Sequence, residues 1–304
     1  SSDVQKIFSN NYSYAALKDD GSVVTWGDSD YGGDSSGVDL ASDVTNIVAN
    51  NGAFLALKSD GSAVVWGDSD YGGETVLDLS SGVTGIYATD AAFAVTKDDL
   101  HFEGNTGSVQ HWGDSNYGGE NDEAGGWYEN GDLDGHMGVT GSGVEQIFST
   151  GKAFAALKDD GSVVTWGDSD FGGDNNTGMT TQLDSGIVDI KATAGAFAVI
   201  ANDAHFENNT GTVFHWGDGG YGGLNDNSGG WYENGDLDGH MGITNSGVEQ
   251  IFSTEKAFAA LKDDGSVVTW GDADYGGDNN VGLTDELDSG CLLYTSPSPR
   301  DDEL

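Results

Sequence analysis

The sequence predicts an all-β protein, a radial array of β-propeller blades, on three observations. The first is a repeat. Trp-Gly-Asp triplets stand at Trp26, Trp66, Trp112, Trp166, Trp216 and Trp270, with successive spacings of 40, 46, 54, 50 and 54 residues. A period of this size marks stacked or radial repeat units, and it exceeds the ~20–30 residues of a β-solenoid coil. The second is strand chemistry on both sides of a turn signal in every unit. The third is the lack of sustained helical periodicity. With 50 Gly and only 2 Pro and no collagen period, the composition fits many tight turns between short strands.

Each unit opens with a Val-x-x-Ile step or its variant: Val4/Ile7, Val44/Ile47, Val83/Ile86, Val144/Ile147, Ile187/Ile190 and Val248/Ile251. An aromatic, small and apolar run follows, such as Tyr14-Ala15-Ala16-Leu17 or Phe258-Ala259-Ala260-Leu261. Alanine at these positions predicts close approach of neighbouring sheets. Asp20-Gly21, Asp60-Gly61, Asp160-Gly161 and Asp264-Gly265 then predict hairpins with type I′ turns, whose two central residues need positive φ. Val23-Val24-Thr25-Trp26 reads as the returning strand, ended by the glycine after the tryptophan.

Two units are longer. Phe93 to Trp112 and Phe197 to Trp216 each span 19 residues, against 12 from Tyr14 to Trp26. Each carries an insert, Gly125–Gly138 and Gly229–Gly242. Residues 143–186 and 247–290 agree at 37 of 44 positions, which indicates duplication of a two-unit block. The units run about 4–43, 44–82, 83–143, 144–186, 187–247 and 248–290, one array over 1–290. The chain opens inside a repeat, at Val4-Gln5-Lys6-Ile7, and reads as a fragment or processed product. From Cys291 the pattern breaks. Residues 291–304 hold both prolines and the sole arginine, Arg300, and resemble translated sequencing-adapter sequence from an assembled environmental gene.

Charge narrows the function. Ten Lys plus Arg stand against 52 Asp plus Glu, a formal net charge of -42. Nucleic acid is excluded as a partner, because affinity for it begins with neutralising phosphates. The acidity fits bound cations, a salty habitat or a partner with a basic face. The chain holds 12 Phe, 8 Trp and 11 Tyr in strand-like runs, which argues against disorder. The single cysteine excludes an intramolecular disulfide. No apolar run reaches the ~18 residues of a transmembrane helix, so no membrane insertion is expected.

The order Val-x-x-Ile, Ala-Leu, Asp-Gly-Ser-Val, Trp-Gly-Asp resembles the regulator of chromosome condensation repeat family over residues ~4 to 290. The resemblance implies a seven-bladed propeller, here an incomplete ring with six repeats visible. It also implies a guanine-nucleotide exchange or chromatin-associated role. Where the family continues towards Gly-Gln-Leu-Gly, this chain has Tyr31-Gly32-Gly33-Asp34.

Three groups of residues are candidates for chemistry. Asn130, Asp132 and Asp134, with their copies Asn234, Asp236 and Asp238, place oxygen ligands at alternate positions before a glycine, as calcium loops do. His101, His111 and His136, and likewise His205, His215 and His240, fall in the long units. His101 and His111 are symmetric about Thr106, so a turn centred there would set them opposite each other, ~4.5–5.5 Å apart at Cβ, close enough to share a metal. Trp127, Tyr128, Trp231 and Tyr232 are ligand-binding aromatics on loops, suited to sugars or protein hot spots. Asp28, Asp30 and Asp34 and their copies form an acidic rim, with Asp28 placed to accept bonds from turn amides. The favoured function is a non-enzymatic scaffold for a protein or carbohydrate ligand, calcium-stabilised and extracellular or cell-surface. A metal-dependent enzyme built on the histidine pairs is the competing reading.

Overall fold

The structure is a computed structural model and describes residues 3–98, 106–119, 143–173, 183–202, 210–223 and 247–277. It is all-β, with six three-stranded antiparallel sheets following one another along the chain. The first blade is β1 (Val4–Ser9), β2 (Ser13–Lys18) and β3 (Val23–Gly27). The second is β4 (Val44–Ala49), β5 (Ala53–Lys58) and β6 (Ala63–Gly67), and the third β7 (Val83–Ala88), β8 (Ala92–Asp98) and β9 (Thr106–Gly113). The fourth is β10 (Val144–Ser149), β11 (Ala153–Lys158) and β12 (Val163–Gly167), and the fifth β13 (Ile187–Ala192), β14 (Ala196–Asn202) and β15 (Thr210–Gly217). The sixth is β16 (Val248–Ser253), β17 (Ala257–Lys262) and β18 (Val267–Gly271). The first strand of each blade packs on the first strand of the next, from β1 to β16. The first strands are therefore innermost, and the array is a propeller.

The Asp-Gly hairpins form where expected, but not as type I′ turns. Gly21 has φ 75°, while Asp43 is the only non-glycine with positive φ among the described residues, so Asp20 cannot serve in such a turn. The Gly21 N–H donates to Lys18 O at 2.9 Å and Lys18 N–H to Ser22 O at 2.9 Å. This closes a three-residue loop with one left-handed glycine at its end, the next most favoured hairpin. The Asp20 carboxylate accepts from Ser22 N–H at 3.0 Å and Ser22 O–H at 2.6 Å. The aspartate serves the loop through its side chain, as Asx turns do.

Blades hold together through one interface built five times. Between the first two, Ala15, Leu17 and Leu40 meet Val44, Ile47, Phe54, Ala56 and Trp66. Phe54 stacks on Trp66 with ring centres 5.2 Å apart. The expected close approach is real, since Ala15, Ala53, Ala92, Ala153 and Ala196 are fully buried. From the second blade on, the tryptophan also reaches back into the preceding blade. Trp66 Nε1–H donates to Gly32 O at 3.1 Å, Trp112 to Gly72 O at 2.9 Å, and Trp166 to Gly118 O at 3.1 Å. Trp216 and Trp270 do the same to Gly172 O and Gly222 O at 3.0 and 3.1 Å. A Cβ on Gly32 would lie 2.9 Å from Phe54 Cδ2. The Tyr-Gly-Gly of one repeat is thus the socket for the Trp of the next, and burying such a ring with its N–H bonded favours assembly by ~3 kcal/mol or more.

Inside, a relay of backbone bonds joins successive turns between first and second strands. Asn11 N–H donates to Asn51 O, Asn51 to Asp90 O, Asp90 to Gly151 O, Gly151 to Ala194 O, and Ala194 to Glu255 O, at 3.4, 3.0, 2.9, 2.8 and 2.9 Å. Among the described residues, nothing covers the outer face of the first blade. Val4, Ile7 and Trp26 are 55, 56 and 44% exposed, where Val44, Ile47 and Trp66 are 4, 1 and 5% exposed. At the other edge, a Cβ on Gly276 would meet nothing within 4 Å.

Candidate functional site

The inner turns open onto a cavity of about 420 Å³ at one end of the propeller axis, lined by Asn11, Asn51, Asp90, Gly151 and Ala194 and their neighbours from five blades. The preceding residue of each turn is structural. Asn10 Oδ1 accepts from Tyr12 and Ser13 N–H at 2.9 and 2.7 Å, and its Nδ2 donates to Tyr31 O at 2.8 Å. Asn50 donates to Tyr71 O at 2.6 Å, Thr89 to Tyr117 O at 2.8 Å and Thr193 to Tyr221 O at 2.8 Å. The turn residue is thereby tied to the aromatic that precedes each Gly-Gly step.

Those aromatics form a belt around the mouth. Tyr31, Tyr71, Tyr117, Phe171 and Tyr221 are half-buried, and Tyr275 is exposed. Their spacing follows the residue after each turn. Gly52 leaves room for Tyr71, and Tyr31 and Tyr71 meet with centroids 6.4 Å apart. Gly195 likewise admits Tyr221 against Phe171 at 6.3 Å. Where lysine takes that place, its ammonium is held between two rings. Lys152 Nζ lies 5.3 Å from the Tyr117 centroid and 4.7 Å from that of Phe171. Lys256 Nζ lies 5.2 Å from Tyr221 and 4.8 Å from Tyr275. Such contacts are worth ~0.5–1 kcal/mol each near the surface.

Electrostatics distinguish the belt from the mouth. Burial raises the Tyr31 and Tyr71 phenols above their ordinary value, with Tyr12 and Asp68 adding to it, so both remain neutral donors. Asp28 and its copies hold the outer turns, as expected. Asp28 Oδ1 accepts from Asp30 N–H at 3.1 Å and Asp68 Oδ1 from Asp70 N–H at 2.9 Å. Asp90 differs. Solvent reaches its carboxyl through the mouth, yet the surrounding turns desolvate it and raise its pKa, while Lys152 pulls the other way. A Cβ on Gly151 would lie 3.1 Å from Asp90 Oδ2, so that glycine makes the space the carboxylate uses.

The histidine geometry expected from the sequence needs correction. Thr106 pairs with Asp98 inside the ladder, so the turn does not centre on it, and His111 lies opposite Ala94. His215 lies opposite Ala198. His111 Nδ1 is 2.9 Å from Gly118 O and its ring packs on Trp166 with centroids 5.5 Å apart. His215 Nδ1 is 2.7 Å from Gly222 O beside Trp270. Because a carbonyl only accepts, Nδ1 carries the proton in both. These two histidines lie between blades. His101, His136, His205 and His240, the calcium candidates Asn130, Asp132, Asp134, Asn234, Asp236 and Asp238, and the aromatics Trp127, Tyr128, Trp231 and Tyr232 lie outside the described residues. Among the described residues no three His, Cys, Asp or Glu are grouped to hold a metal, and no helix is long and apolar enough to cross a membrane.

The belt and the cavity escaped the sequence reading. Their signal was present in two places: the aromatic before every Gly-Gly, and divergence within the duplication. In the described parts of 143–186 and 247–290 the differences are Gly151/Glu255, Ser169/Ala273 and Phe171/Tyr275. The first and last of these lie at the mouth and belt.

No family model matches the chain, and no curated protein matches it. Solved structures do. The ectodomain of the Physcomitrella patens receptor kinase CR4 is 13% identical with a TM-score of 0.42, over 89% of this chain and 62% of that one. Prp20p of Saccharomyces cerevisiae, described with its binding to Gsp1p and histones, is 15% identical with a TM-score of 0.46, over 88% of this chain and 72% of that one. Yeast RCC1 (Prp20) bound to Kap60 gives 16% identity and a TM-score of 0.44, over 88% and 70%. This chain spans about three fifths of the length of the P. patens ectodomain. At such identities the likeness concerns fold alone, and the propeller assignment stands on the strand pairing and blade packing above.

Proposed function

We propose that this chain is a non-enzymatic repeat scaffold that binds a partner protein on the face where the axial cavity opens. The observation that carries the reading is the aromatic belt from Tyr31 to Tyr275 around a polar mouth. Half-exposed tyrosines on a rigid frame are the residue type that dominates protein interfaces. Their positions are held by side-chain bonds from Asn10, Asn50, Thr89 and Thr193, so little ordering is needed on binding. The net charge of -42 selects a partner with a basic face.

The test is comparative capture from a cell extract by three forms of the chain. Tyr31→Ala/Tyr275→Ala alters the belt at its two outermost rings. Asp19→Ala/Asp263→Ala alters the opposite end. A protein retained by the wild type and by the far-end variant, and lost by the belt variant, is the expected result. Equal capture by all three overturns the reading.

A further inference from the structure

Resting on that reading, one residue class of the partner can be named from the mouth itself. Asn11, Asn51 and Asp90 occupy the same turn position in three consecutive blades and line one cavity. Their backbones are committed to the relay, but none of their side chains hydrogen-bonds to another described residue. The next two blades carry Gly151 and Ala194 at this position, and the Asp90 carboxylate uses the space that Gly151 leaves, 3.1 Å from where a Cβ would stand, so the side-chain acceptors of the mouth come from the first three blades. The field of Lys152 reaches Asp90, but Lys152 pairs with Asp168 at 3.7 Å and sits between Tyr117 and Phe171. Asp90 therefore faces the cavity without an ion pair of its own among the described residues.

We propose that the mouth of this cavity takes the guanidinium of an arginine side chain carried by the partner protein. A neutral ligand would leave the Asp90 charge with only the field of Lys152, itself committed to Asp168, in a partly desolvated site, which is costly. A compact ammonium could meet the carboxylate but not three acceptors spread over three blades. Guanidinium presents five donors in a plane and is weakly hydrated, so it can span the Asp90 carboxylate and the Asn11 and Asn51 amide oxygens together. The belt of rings outside offers faces on which the stem of the same side chain can lie.

The experiment uses the full chain at 150 mM salt, with N-acetyl-arginine methylamide as probe, followed by NMR on the side-chain amides of Asn11 and Asn51. Saturable shifts of both are expected. Asp90→Asn keeps size and backbone and should weaken binding at least tenfold, while Asp70→Asn on the rim should change it less than twofold. The uncharged isostere N-acetyl-citrulline methylamide should not saturate. Equal binding of the citrulline probe, equal weakening by Asp90→Asn and Asp70→Asn, or shifts confined to other surfaces each overturn the proposal. The scaffold reading fails separately. If the captured partner is lost by the belt variant but kept by Asp90→Asn, the arginine site is wrong and the scaffold stands. If the probe fills the mouth while belt substitutions change no capture, the scaffold reading falls and the arginine site stands.

Discussion

The first blade and its interior copies share one phrase and meet opposite fates. Trp26 is 44% exposed and Tyr14 46%, while Trp66 is 5% exposed and Phe54 is fully buried. Tyr14 and Trp26 still stack, at 5.3 Å and 15°, much as Phe54 and Trp66 do at 5.2 Å and 17°. The local pair is therefore a property of the repeat, and its burial is a property of the neighbour. In a nearest-neighbour array, stability lies largely in the interfaces, so the same substitution should cost very different amounts at the edge and in the interior.

The largest effect expected is at that pair. Trp166→Ala should lose ~3–5 kcal/mol in urea unfolding, through cavity and lost transfer energy. Trp26→Ala should lose less than ~1 kcal/mol, as exposed substitutions do. Equal losses would mean that the first blade's face is covered in solution. Next come the sockets. Gly72→Ala and Gly276→Ala both force alanine into positive φ, at ~1–2 kcal/mol each. Only Gly72 adds a clash, 3.2 Å from both Phe93 Cδ2 and Trp112 Cδ1, worth a further ~1–3 kcal/mol from overpacking. Thermal melts of the two variants should differ by that second amount.

A third contrast concerns the backbone relay. The Asp90 N–H donates to Gly151 O at 2.9 Å, whereas the Glu255 N–H has no acceptor among the described residues. Amide exchange should be at least ~100-fold slower at Asp90, since exchange there requires blades to open. Similar rates would show that the relay does not hold in solution.

The smallest effects concern pH, and they sharpen what is local. Side-chain and backbone bonds from Ser62 and Ser266 lower the Asp60 and Asp264 carboxyls below the ordinary 3.8. A depressed folded pKa gives stability that is present above the unfolded value and lost as pH falls through the folded one. Asp60→Ala and Asp264→Ala should therefore cost equally little at pH 7, and the cost should vanish under strong acid, in an interior and an edge blade alike. Asp90 has the reverse sign. Its raised pKa means that stability is lost as pH rises through the folded value. Asp90→Asn should thus be neutral to slightly stabilising at pH 7 by melting temperature, so any binding defect it causes is not a folding defect.

Much of the architecture was legible because it is written locally. Alternating β-branched and aromatic residues around Asp-Gly specify a hairpin whatever surrounds it, and recurrence of the hairpin specifies an array. The turn type was misjudged because Asp20 contributes a side-chain acceptor rather than a left-handed backbone, and residue identity alone does not separate the two. The His101/His111 pairing rested on a turn centre, and register moved when β9 was found to begin at Thr106.

The site was nearly illegible for a different reason. Asn11, Asn51 and Asp90 follow one another at about 40-residue intervals, each unremarkable in its own turn, and only the packing of successive first strands sets them on one cavity. The sequence by itself determined what each blade is, because strand period, turn chemistry and the Tyr14/Trp26-type pair depend on residues within about a dozen positions. Tertiary structure alone decided which tryptophans are core, which glycines are sockets, and that six scattered aromatics form a belt. Those outcomes depend on what the neighbouring blade supplies, and the same residues at the edge, where no neighbour is present among the described residues, stand exposed.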